Sequence, residues 1–113
     1  MVNNNQPICK TNSFGDKFWF LDSRLHREDG PAVEYANGYK AWYLRGQRHR
    51  INGPAVEHGN GNKEWYVYGK CHRLDGPAME RIDGFKFWHY QNKYIECSSQ
   101  EEFERIIKLK ALW

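Results

Sequence analysis

The stretch His49-Arg50-Ile51-Asn52-Gly53-Pro54-Ala55-Val56-Glu57, with Gly61-Asn62-Lys63-Glu64-Trp65-Tyr66 close behind it, decides the fold. It is the middle copy of a pattern that recurs every 23 residues. His26-Arg27 and His72-Arg73 flank His49-Arg50 at that interval, as do Gly30-Pro31-Ala32 and Gly76-Pro77-Ala78 around Gly53-Pro54-Ala55. Glu34, Glu57 and Glu80 fall in register. So do Gly15, Gly38, Gly61 and Gly84, Lys17, Lys40, Lys63 and Lys86, and Trp19, Trp42, Trp65 and Trp88. A unit this short cannot bury a core alone, so its neighbours must stack.

Working outward, each copy holds a short β-type run, a turn, and a second run. The first runs begin at Ala32, Ala55 and Ala78, and the second cover 39–44, 62–68 and 85–90. Between them stand Asn37-Gly38, Asn60-Gly61 and Asp83-Gly84, residue types that tolerate positive φ and mark hairpins. A three-residue loop ending on the glycine sets Glu34 opposite Lys40, Glu57 opposite Lys63 and Glu80 opposite Lys86. Facing opposite charges contribute about 0.2–1 kcal/mol per pair. Gly46, Gly69 and Asn92 then turn the chain into the next His-Arg segment or its remnant.

The expected architecture is mainly β: a single-layer, twisted antiparallel meander of about seven to nine strands, closed by a C-terminal capping α-helix. Residues 1–13 form a lead-in. Residues 14–95 hold the repeats, as a partial copy over 14–24 and full copies over 25–47, 48–70 and 71–93. The helix is expected over 98–113, opened by a capping box, Ser98 with Glu101 or Ser99 with Glu102. Phe103, Ile106, Ile107 and Lys110 share one of its faces, with Leu109, Leu112 and Trp113 beside it.

Bulk properties narrow the function classes. The 113 residues suit one domain. Aromatics make up 16% of them, which favours thin sheet packing over a thick aliphatic core. A net charge of +3 is too small to imply nucleic acid by itself. Cys9, Cys71 and Cys97 share no metal spacing, and Met1–Pro7 lacks the basic and apolar regions of a signal peptide. No apolar run reaches membrane-spanning length, and a cytoplasmic protein with free thiols is expected. A catalytic reading finds no phosphate-binding glycine loop, HExxH or GxSxG, and Cys71 and His72 would point to opposite faces of a strand. The expectation is therefore no enzyme, no cofactor and no metal. Histidines two strands apart stand about 10 Å from each other, too far to share an ion.

The spacing Gly-x-Lys-x-Trp-Tyr-x-x-Gly-x-x-His resembles the MORN repeat, with Tyr43, Gly46 and His49, and again Tyr66, Gly69 and His72, on its aromatic, glycine and histidine positions. The usual His-Gly-x-Gly is replaced by His-Arg-x-Asp/Asn-Gly-Pro-Ala, a variant that looks like one carried by small proteins of bacteriophages, large DNA viruses and bacteria. The resemblance covers residues 14–95 and implies stacked hairpins in an elongated sheet, used as an interaction module. It also implies a phage-encoded inhibitor of a host protein, such as a CRISPR-Cas or other defence component, acting in the host cytoplasm.

Residues repeated in every copy are explained by what every copy needs: Asx-type turns at Asp29, Asn52 and Asp75, and histidines packed on tryptophans. Positions that differ between copies carry the functional expectation. These are Tyr35, Tyr39, Tyr43, Arg45, His58, Glu64, Tyr66, Tyr68, Phe85, Phe87 and His89, an aromatic field with scattered charge suited to a protein partner. Two alternatives stand beside it. Near the glycine turns, Arg24, Arg45, Arg48, Lys70, Arg73 and Lys93 could form, with Tyr43, Tyr66 and Tyr68, a basic, aromatic groove for an anionic ligand: nucleic acid, a nucleotide or a membrane surface. The terminal sheet edge or the helix could also support self-assembly.

Overall fold

The computed structural model describes residues 6–110. The first part of the lead-in, and Leu112 and Trp113 of the expected helix, lie outside the described residues. β1 (Ile8–Thr11) and β2 (Lys17–Leu21) form a hairpin, and β3 (Arg24–Leu25) folds back on β2. The first full copy contributes β4 (Val33–Glu34), β5 (Lys40–Ala41), β6 (Tyr43–Leu44) and β7 (Gln47–Arg48). The second contributes β8 (Val56–Glu57), β9 (Lys63–Glu64), β10 (Tyr66–Val67) and β11 (Lys70–Cys71). β12 (Met79–Glu80), β13 (Lys86–Tyr90) and β14 (Lys93–Ile95) follow, and α1 (Gln100–Lys110) closes the described chain.

The main sheet is an open antiparallel meander in the order β1-β2-β4-β5-β8-β9-β12-β13-β14. β6–β7 and β10–β11 form separate two-stranded arms. The segments outnumber the expected strands because each full copy makes two hairpins and, in the first two, the ladder breaks at the tryptophan, whereas β13 runs unbroken through Trp88. Trp42 gives its N–H to the Ala55 carbonyl of the next copy (2.8 Å), while its own carbonyl accepts the His49 N–H (3.0 Å). The chain thus passes from the shared sheet into its own arm at that residue, and Trp65 repeats the exchange with Ala78 and His72.

The expected register is observed. Glu34 faces Lys40, Glu57 faces Lys63 and Glu80 faces Lys86. The Tyr35 N–H donates to the Tyr39 carbonyl across a three-residue loop that ends on Gly38 at φ 97°. The charge pairing is not the expected one. None of these three glutamates lies within 4 Å of the lysine it faces; each pairs with the arginine of its own copy. Arg27 lies 3.6 Å from Glu34, Arg50 3.1 Å from Glu57 and Arg73 2.7 Å from Glu80.

The second hairpins use two-residue turns with both residues at positive φ: Arg45-Gly46 (49°, 83°), Tyr68-Gly69 (47°, 83°) and Gln91-Asn92 (45°, 72°). These are type I′ values, whose twist matches that of the flanking strands. Here the repeated histidines act. The Nδ1 of His26 accepts the Arg45 N–H (2.9 Å), that of His49 the Tyr68 N–H (3.0 Å), and that of His72 the Gln91 N–H (2.8 Å). Each therefore ties down a strained turn of its own copy.

Arginine, not histidine, covers the tryptophans. The guanidinium carbons of Arg27, Arg50 and Arg73 stand 3.9, 3.8 and 3.9 Å from the ring centres of Trp19, Trp42 and Trp65. Their Nη1 groups donate to the carbonyls of Pro31, Pro54 and Pro77. Asp29 and Asp75 accept from the arginine Nε rather than forming the expected backbone turn. A Cβ at Gly53 would meet the Arg50 guanidinium at 3.0 Å, which is why glycine precedes the proline.

The fourth copy loses this clamp. Ile95 and Glu96 stand where His-Arg is due, and the helix covers Trp88 instead. Trp88, Ile95 and Phe103 are buried together, with Ile106 and Ile107 packed on them. Gln100 accepts from the Trp88 indole (2.7 Å) and donates to the Leu74 carbonyl (2.8 Å). The Ser99 hydroxyl accepts the Glu102 N–H as an N-cap (3.1 Å). Leu109 is exposed. A second cluster, Val33, Ala41 and Val56, lies on the sheet face opposite the tryptophans, with Phe18, Leu25, Tyr39, Tyr43 and Tyr66 against it.

Candidate functional site

The face around Val33, Ala41 and Val56 carries most of the residues that differ between copies. Glu64 stands where the other copies have Phe18, Ala41 and Phe87. Its cross-strand neighbours are Val56 and Met79, so a carboxylate has been placed in an apolar row. Both its oxygens are engaged. Glu64 Oε2 lies 2.6 Å from His58 Nε2, and Oε1 accepts the Tyr66 hydroxyl at 2.8 Å. Burial, reinforced by that hydrogen bond to Glu64, pushes the Tyr66 phenol up to about 12. The His58 ring meets Tyr39 edge-on (5.4 Å), Tyr39 stacks on Tyr35 (4.9 Å), and Tyr35 meets Phe18 edge-on (5.9 Å).

Arg48 breaks the pattern in the same way. Its counterparts are Leu25, Cys71 and Tyr94. It faces Tyr43 across the β6–β7 arm. Its Nε donates to the Tyr43 hydroxyl (3.2 Å), and its guanidinium carbon stands 5.3 Å from the Tyr66 ring centre. Six of the expected site residues, Tyr35, Tyr39, Tyr43, His58, Glu64 and Tyr66, therefore belong to one connected surface, and Arg48 joins it. The spacing held that signal: a cation in register with three uncharged side chains, Leu25, Cys71 and Tyr94, is not a turn residue.

The other five lie elsewhere. Arg45 and Tyr68 occupy the type I′ turns, and Tyr68 stacks on His49 (4.0 Å). Phe87 and His89 gather around Tyr94 at the C-terminal end of the sheet, at 6.3 and 5.6 Å. Phe85 sits at a turn near Arg81 (5.9 Å). The supposed basic groove is also divided, since Arg73 covers Trp65 while Arg48 lies on the aromatic face.

On the tryptophan face, the loops leave two open grooves of about 580 and 620 Å³. Trp42, Leu44 and Ile51 line one; Trp65, Val67 and Leu74 line the other. Among the described residues no three His, Cys, Asp or Glu side chains come together as metal ligands would. Burial pushes the Cys71 thiol up to about 11, so it stays protonated at neutral pH. No helix among the described residues is long and apolar enough to cross a membrane.

Comparison with protein-family models, curated proteins and solved structures finds no match to this chain.

Proposed function

We propose that the chain is a non-catalytic protein-binding module whose working surface is the aromatic face centred on Tyr39, Tyr43, Tyr66, Arg48 and Glu64. The observation that carries this reading is the pair of charges at positions that are uncharged in every other copy. Stacking needs neither, and a half-buried carboxylate or guanidinium in an apolar row costs stability unless it is used. Large aromatics around an oriented charge are the usual composition of an interface hot spot. The resemblance to MORN-like repeats supports the same class of role, and in its phage-borne variant extends it to the blocking of a host protein.

The test is comparative capture from a host lysate, using three immobilised forms of the protein. The wild type and an opposite-face variant, Ile51→Ser/Leu74→Ser, should retain the same partner, while Tyr43→Ala/Tyr66→Ala should lose it. Equal capture by all three forms, or loss only in the Ile51/Leu74 variant, would sink the assignment to this face.

A further inference from the structure

Arg27, Arg50, Arg73 and Arg81 each have a carboxylate within 4 Å. Arg48 has none among the described residues, although it is half-buried among tyrosines. A guanidinium withdrawn from water keeps its charge, because its pKa is too high for neutralisation, so its exposed N–H groups call for an acceptor.

The geometry selects that acceptor. Nε donates to the Tyr43 hydroxyl and the guanidinium also reaches the Tyr39 hydroxyl, which leaves the remaining Nη N–H groups as its open fork. Such a fork matches the two oxygens of a carboxylate. Because the Tyr43 oxygen accepts from Nε, its own proton is free to donate to the same ligand. The carboxylate of this face, Glu64, is already held by His58 and Tyr66. The named neighbours of Arg48 are phenols, Tyr39, Tyr43 and Tyr66, rather than further cations. One positive charge balances one carboxylate, whereas a phosphate dianion would be left half-compensated.

We infer that Arg48, with the Tyr43 hydroxyl, is a receptor for a single acidic side chain of the partner, an aspartate or glutamate inserted between Tyr43 and Tyr66. This rests on the protein-binding reading of the same face and deepens it by naming the chemistry of the group recognised.

The experiment follows the Arg48 Nε–H signal of ¹⁵N-labelled protein at constant ionic strength. The probes are the blocked peptides acetyl-Gly-Glu-Gly-amide and acetyl-Gly-Gln-Gly-amide, and inorganic phosphate. A saturable shift with the glutamate peptide is expected, with none from the glutamine peptide and a weaker response to phosphate. Arg48→Met should weaken glutamate-peptide binding at least about tenfold, read from backbone amides around Tyr43. Arg48→Lys should keep part of it. Should Arg48→Met fail to fold, the contrast between glutamate and glutamine on the wild type decides alone. Equal response to the two peptides, phosphate acting at lower concentration, or shifts centred on Arg24 or Lys70 would overturn the inference. Its failure is separable from that of the parent reading. If Tyr43→Ala/Tyr66→Ala still abolishes capture while the glutamate peptide does not bind, the face remains a docking surface and only the acidic anchor is withdrawn.

Discussion

At the residue scale, one histidine nitrogen per copy holds a turn that its own residues disfavour. A tyrosine or arginine at positive φ is uncommon and costs on the order of 1 kcal/mol. The acceptor nitrogen of His26, His49 or His72 satisfies the N–H that such a turn turns inward. This acceptor exists only in the neutral ring, because both nitrogens of a charged imidazole are donors. Burial lowers the pKa of His49 and His72 from their ordinary value. A histidine whose folded pKa is depressed stabilises fully above its unfolded pKa, near about 6.5, and loses that contribution as pH falls through the window below it. Urea midpoints should therefore be level from pH 8 to 7 and decline below about pH 6.5. His49→Ala should destabilise by about 1–3 kcal/mol in the same measurement and flatten the decline. The arginine clamp makes a second residue-scale prediction. Arg50→Met removes the cover from Trp42 and leaves Glu57 without its partner, which should cost about 1–2 kcal/mol and shift Trp emission to the red.

At the element scale, each copy is two hairpins of different kinds, and the sequence announces them unequally. Asn37-Gly38 and its equivalents spell out the first, and the Glu–Lys register follows from loop length alone. The second is signalled only by Gly46, Gly69 and Asn92; no turn propensity would select the Arg45, Tyr68 and Gln91 before them, and the compensating histidine stands 19 residues upstream. A bond of that span is invisible to local pattern. The same limit hid the arginine. Spacing shows that Glu34, Lys40 and Arg27 recur together, but which cation bends towards the carboxylate depends on the tryptophan beneath it. Arg48 stands in the sequence reading among the cations of a basic groove with Tyr43 and Tyr66, outside the protein-binding set, whereas its register with Leu25, Cys71 and Tyr94 is what places it on the aromatic face. Arg45→Asn supplies a residue better suited to positive φ while keeping the backbone N–H that His26 accepts. It should raise stability by about 0.5–1 kcal/mol, measured by chemical denaturation.

The whole molecule measures 52 × 34 × 17 Å, so every residue lies near a surface and neither apolar cluster spans the chain. Stability in such an array is a sum of copies and junctions. The junction to the helix has few substitutes: Phe103 is 1% exposed and fills the place of a missing clamp. Phe103→Ala should cost about 3–5 kcal/mol, with hydrogen-exchange protection lost first in β13 and β14 and retained in β4 to β9. Uniform loss of protection would show that the copies unfold as one unit.

The clamps also give the array a direction. Every arginine covers the tryptophan of the copy before it, never that of its own. A chain emerging from the ribosome therefore always carries one bare indole in its newest copy, sheltered only when the next 23 residues arrive. Growth by whole copies preserves every bond at the upstream end, while stopping requires a segment of different design. In this chain α1 supplies that stop signal, and a duplicated 48–70 unit inserted before it should extend the sheet without changing how it ends.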